Sequence, residues 1–286
     1  MISIFQSIIL GLLQGLTELF PISSLGHSVI LPSIFGWNIH QNDPYFITFL
    51  VATHLATATV LFLFFFSDWK KIIKGIFRSL KQREVKKDDT YARMGWLLVI
   101  GTIPAGILGL LFEQSIRKLF ASAEIAASFL IINGFILLLA EQLRKRAAMR
   151  NAQQSDDVIA KLTPLQSIYI GAAQALALLP GISRSGASMG GGLLAGLNNE
   201  NAARFSFLLA TPVIGAAAVL KLPKVLDPSY ASLRLPMFIG ALSAAIAAYI
   251  AIKFLMQYFK TNTLKPFAYY CLAAGIFSSI YFLLIK

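Results

Sequence analysis

The stretch QSIILGLLQGLTELFPISSLGHS, Gln6–Ser28, returns 160 residues later without a gap as QSIYIGAAQALALLPGISRSGAS, Gln166–Ser188. Gln6, Ser7, Ile8, Gly11, Gln14, Leu16, Leu19, Ile22, Ser23, Gly26 and Ser28 are repeated unchanged. The chemistry differs between the copies. The first carries Glu18, Ser24 and His27 where the second carries Leu178, Arg184 and Ala187. Each copy is an apolar helical run broken by proline, glycine and small polar residues, in FPISSLGH and LPGISRSGASMGGG. Proline ends a helix and glycine permits turns that a helix resists. Each half is too short to cross a bilayer, which takes roughly 20 residues. We therefore read 2–34 and 165–200 as re-entrant helical hairpins.

The surrounding sequence sets the environment. The 286 residues are 57% hydrophobic and only 13% charged, with mean hydropathy +0.70. That balance belongs to a polytopic membrane protein and not to two soluble domains. Apolar runs at about 44–66, 93–112, 125–141, 203–223, 235–258 and 266–285 predict six full transmembrane helices. The first 20 residues lack a basic leader and a small-residue cleavage site, so they are read as part of the fold. The lone cysteine, Cys271, excludes a disulfide or a zinc cluster within one chain.

The net charge of +12 is concentrated. Nine Lys/Arg lie between Lys70 and Arg93 and five between Arg144 and Lys161. Basic loops beside apolar spans mark the cytoplasmic side and contact anionic lipid, so no nucleic-acid partner is expected. Loops 67–92 and 142–164 then face the cytoplasm and both termini lie outside. Three spans separate the hairpins, an odd number, so they enter from opposite faces. FLVAT at Phe49–Thr53 recurs as FLLAT at Phe207–Thr211. The expected fold is an all-α single membrane domain, 1–286, made of inverted repeats of about 1–141 and 165–286 joined by loop 142–164. Functional sites of such repeats lie where the broken segments meet.

Two tips meeting from opposite faces bring Glu18, Ser24 and His27 to Arg184. A lone arginine at membrane depth needs a partner. Ser183, Ser185 and Ser188, glycines such as Gly181 and Gly186, and the start of the following helix suit an anion. A guanidinium matches phosphate oxygens with two parallel bonds. The bland alternative is an ion pair with Glu18 or Glu200. On the other tip, Ser24 with His27 is a nucleophile–base candidate, and imidazole could also attack phosphorus itself. Glu18 could orient His27, take a proton or hold a metal, with Gln14 one turn earlier on the same face. His40 is read as a polar-loop residue and His54 as an end-of-span residue satisfied by a neighbour. A phosphate cradle with an acid, a serine and a histidine suits hydrolysis of a phosphate ester or anhydride of an amphiphile. A flippase for the same lipid would need the cradle but no nucleophile.

With QGLTELFPISSLGH, LPGISRSGAS and RFSFLLATP, the chain resembles the undecaprenyl-diphosphate phosphatase family, the bacterial bacitracin-resistance membrane phosphatases. The resemblance covers nearly the whole chain. It implies removal of one phosphate from undecaprenyl diphosphate, which recycles the lipid carrier for cell-wall synthesis. It also implies a divalent cation, Mg2+ or Ca2+, an inner-membrane location, a site toward the outer side and a tendency to form homodimers. By position, Gln14 and Glu18 would be the metal or acid–base pair, Ser24 and His27 the nucleophile candidates, and Arg184 the phosphate clamp. Ser23, Gly181, Ser183, Ser185, Gly186 and Ser188 would line the phosphate. Three positions depart from the family pattern: Gln14 stands for a glutamate, Leu25 for a small polar residue and Ser188 for threonine.

Overall fold

The structure, a computed structural model, describes residues 2–40, 43–112, 122–147, 156–221, 223, 225 and 227–285. Among these residues it is all helical. The first copy of the repeat forms α1 (Ile4–Leu19) and α2 (Ser24–Ile34). Then come α3 (Pro44–Phe64), α4 (Phe66–Gln82), α5 (Thr90–Leu111) and α6 (Ala123–Ala147). After the short α7 (Asp156–Ala160), the second copy forms α8 (Pro164–Ala175) and α9 (Arg184–Leu194). The chain ends with α10 (Asn199–Lys221), α11 (Arg234–Tyr258) and α12 (Lys265–Ile285).

Among the described residues six helices are long and apolar enough to cross a membrane, and they coincide with the six expected spans. The helices of the two repeat copies are shorter, 16 and 11 residues in the first and 12 and 11 in the second. Both copies start the same way. Ser3 and Gln6 form a capping box on α1, and Thr163 and Gln166 form one on α8. In each, the hydroxyl accepts from the third backbone N–H while the amide reaches back, which satisfies two orphan donors. Asp43 caps α3 just before Pro44, and Asp89 caps α5.

Loop 67–92, expected as a basic loop, is largely taken up by the 17-residue α4. Its period separates Lys70, Lys74 and Lys81 from Ile72, which is buried. Ile73, Phe77 and Leu80 are exposed beside the lysines, the pattern of a helix lying at a membrane surface. In the sequence the run of charge hides this period.

Packing is tight where the sequence supplies small residues. On α1, Ile4, Ile8, Leu12 and Leu16 are exposed at four-residue intervals. The opposite face buries Ser7, Gly11, Gln14, Gly15 and Glu18. An apolar outer face over a polar interior is the reverse of a water-soluble helix. A methyl group on Gly11 or Gly15 would overlap the carbonyl of Gly240 or Ala244 on α11, and one on Gly171 of α8 would overlap Gly101 of α5. Small residues let such backbones approach. Thus α1 lies on α11 as α8 lies on α5, α3 packs against α10, and α6 packs against α12. The main apolar core draws on both halves, from Leu19 to Phe282.

Candidate active site

The break after α1, Phe20–Ser23, exposes backbone that no helix satisfies. Its partners come from elsewhere in the chain. Asn133 of α6 donates from Nδ2 to the Pro21 carbonyl (3.0 Å), and its Oδ1 accepts from the Ser183 N–H (3.0 Å). Ser185 Oγ donates to the Phe20 carbonyl (3.2 Å). One buried amide and one hydroxyl thereby join the first break to the second. Irregular backbone at membrane depth persists only with such cover.

Ser23, inside the break, has φ 69° and ψ 99°. This is a costly conformation for a non-glycine residue, of a kind that gathers at functional sites. Its hydroxyl caps α2 by accepting from the Gly26 N–H (3.2 Å). Ser24, the first residue of α2, is turned back onto α1, where its hydroxyl donates to Glu18 Oε2 at 2.6 Å. The same oxygen accepts from Gln14 Nε2 (3.1 Å) and lies 3.3 Å from His54 Nε2. The other carboxylate oxygen accepts from Arg184 Nε at 3.1 Å. Arg184 Nη1 donates to the Ser206 carbonyl (3.2 Å), and Nη2 is buried without a partner. Glu18, Ser24 and Arg184 are thus brought together by two helix breaks 160 residues apart, as expected.

His27 is placed elsewhere. Its Nδ1 meets the Ser23 carbonyl (2.7 Å), its Nε2 meets the Tyr270 hydroxyl (2.8 Å), and its ring stacks on Tyr270 of α12. Both ring nitrogens are engaged away from Glu18. The imidazole beside Glu18 is that of His54, held by the Leu50 carbonyl through Nδ1 (2.7 Å). The neighbour that satisfies His54 is therefore the site's own carboxylate. A histidine inside an apolar span was the available signal, since ionisable groups within spans are functional candidates by default.

A cavity of about 140 Å3 opens over the cluster. Its polar lining includes Thr17, Glu18, Ser23, Ser24, His54, Gln174, Ser183 and Arg184, and its apolar wall includes Leu178 and Ile214. Of the residues expected to cradle an anion, Ser23, Ser183 and Arg184 line it. Gly181, with φ 105°, shapes the second break against Ala126. Ser183 caps α9 at the Gly186 N–H (3.1 Å), and Ser188 bonds the Arg184 carbonyl (2.7 Å) and Ser206 Oγ (2.6 Å). Ser185, Gly186 and Ser188 hold the tip together and do not line the cavity. Gln14 lies behind Glu18, with its Oε1 buried and unpartnered. Among the described residues no group of three or more His, Cys, Asp or Glu gathers as a metal cage. The orphaned Gln14 Oε1 beside the Glu18 carboxylate is the kind of oxygen donor that a hard cation takes.

The fold and this cluster define a polytopic helical membrane protein with a buried cluster of Glu18, Ser24, His54 and Arg184 between two broken helical segments. The family model for Bacitracin resistance protein BacA matches residues 7–277, and the chain belongs to that family. Similar proteins include one from Mycolicibacterium paratuberculosis named Undecaprenyl-diphosphatase, 43% identical over 294 residues that cover 96% of this chain and 95% of that protein. One from Granulibacter bethesdensis bearing the same name is 43% identical, with 95% and 94% covered. A Frankia alni protein named Undecaprenyl-diphosphatase 2 is 41% identical over 336 residues, with 97% of each covered.

Proposed function

We propose that the chain hydrolyses undecaprenyl diphosphate to undecaprenyl phosphate and inorganic phosphate in the bacterial inner membrane, with its site open toward the outer side. Recycling of the cell-wall lipid carrier, and with it bacitracin resistance, follows from that reaction. The names of its relatives support the substrate. The carrying observation is the 2.6 Å bond from Ser24 Oγ to Glu18 Oε2, which aligns a hydroxyl proton with a carboxylate beside an arginine. A flippase has no use for that alignment.

The groups have separable tasks. Ser24 Oγ attacks the terminal phosphorus. A new O–P bond forms, the bond from that phosphorus to the bridging oxygen breaks, and the electron pair leaves with the lipid phosphate. The serine proton passes to Glu18, whose Oε2 His54 also holds. Arg184 Nη2, the unused edge of the guanidinium, donates to the equatorial phosphoryl oxygens as charge builds on them. The proton on Glu18 leaves with the departing lipid phosphate. Water then attacks the phosphoserine, its proton passes to Glu18 and from there to the Ser24 oxygen as the Ser24 O–P bond breaks, and inorganic phosphate is freed. Gln14 Oε1 and Glu18 would hold a divalent cation, which supplies charge neutralisation to the diphosphate.

The two broken segments serve as re-entrant hairpins of an inverted repeat in this reading. The exchange of partners between α1–α11 and α8–α5 supports it. Purified protein given farnesyl diphosphate and Mg2+ is expected to release phosphate. Ser24→Ala and Arg184→Ala should each lower the rate by about 1,000-fold or more, while His40→Ala should leave it unchanged. Folded wild-type protein that releases no phosphate with any divalent cation would overturn hydrolysis in favour of lipid transport.

A further inference from the structure

Gln174 is 2% exposed, lines the cavity, and has no hydrogen-bond partner for either Nε2 or Oε1. The repeat explains how an amide came to stand there alone. Its counterpart in the first copy, Gln14, donates to the carboxylate one turn on, Glu18. One turn after Gln174 the second copy has Leu178, so the amide remains and its acceptor is gone. A buried, desolvated amide without a partner is costly, and a ligand that bonds it recovers that cost.

The hydroxyls at the cavity each have a partner within the protein. Thr17 Oγ1 donates to the Leu13 carbonyl, Ser24 Oγ donates to Glu18, and Ser23 and Ser183 Oγ accept from the caps of α2 and α9. Among the described residues two buried nitrogen donors at the cavity have no partner at all, Arg184 Nη2 and Gln174 Nε2. A ligand with two phosphoryl groups offers an acceptor to each. Arg184 is tied to the carboxylate that faces Ser24, so its edge takes the phosphoryl group under attack. We propose that Gln174 takes the other, the phosphate that stays on the lipid, and so makes the cavity select diphosphates over monophosphates. This rests on the reading of the cavity as a diphosphatase site.

Gln174→Met removes both polar atoms at similar volume, and it separates recognition from folding. Its unfolding midpoint without ligand is expected to equal or exceed that of wild type, because an unpartnered buried amide has been removed. The KM for farnesyl diphosphate should rise about tenfold, the loss of one charge-assisted hydrogen bond, with kcat within about threefold. Thermal protection by inorganic pyrophosphate should fall, while protection by inorganic phosphate should be unchanged. Gln174→Glu, which sets a carboxylate against the diphosphate, should raise KM further, and it decides the matter if Gln174→Met does not fold. An unaltered KM and unaltered pyrophosphate protection in the folded variant, beside an active wild type, would overturn the inference alone. A wild type that releases no phosphate overturns the diphosphatase reading and this inference together.

Discussion

At the scale of single residues, the site turns on which imidazole reaches the carboxylate. His54 Nε2 shares Glu18 Oε2 with the Ser24 hydroxyl. Its loss should therefore be felt in the chemical step. His54→Ala is expected to lower kcat about 10- to 100-fold, at the modest end for a group acting through a general base. His54→Gln, which can keep an N–H on the carboxylate, should recover most of that. Steady-state kinetics of the two variants separates the outcomes, and equal loss in both would show that the imidazole itself is required. Glu18, Ser24 and Arg184 were legible in the sequence because each sits in a broken apolar run where burial demands a reason. His27 was legible as a candidate, yet its ring is claimed by Tyr270, 243 residues away, and by the carbonyl of strained Ser23. No local pattern carries that pairing. His54 was missed because nothing in FLVATHLATATV tells which helix lies against it.

At the scale of elements, the tips depend on a third party. Asn133 reaches the Pro21 carbonyl with one end and the Ser183 N–H with the other. Asn133→Leu is expected to leave both backbone groups unsatisfied and to destabilise the protein by about 2–5 kcal/mol, with loss of phosphate release. Thermal unfolding in detergent checks the first effect, and an unchanged midpoint would contradict the bridging role. The paired breaks and both capping boxes could be read from the repeat, since short-range chemistry sets them. The role of α6 could not, because SFLIINGFILLL shows one amide in an apolar span and says nothing of its two partners. The helical character of α4 was overlooked for a different reason. Its apolar face is visible at i, i+4 and i+7 in Ile73, Phe77 and Leu80, beneath a charge run that drew attention first.

At the scale of the whole molecule, orientation remains a matter of charge. Loops rich in Lys/Arg should lie on the cytoplasmic side, and the segment around Ser229 on the other. Single cysteines at Lys81 and at Ser229 should react with a membrane-impermeant maleimide only from opposite faces of intact vesicles. The native Cys271 is fully buried and should stay silent. Labelling of both sites from one face would refute the assignment. The six spans were predictable because apolar length is a property of sequence alone. The closeness of the two tips was inferred from parity, and the arrangement of α1 on α11 and α8 on α5 needed the packing itself.

The ion pair between Glu18 and Arg184 spans 166 positions of the chain. Neither partner can be altered without leaving the other as an uncompensated charge in an apolar interior. Lineages descended from a common ancestor should therefore hold both positions fixed together, and a natural variant that has lost one of the two should have lost phosphate release with it.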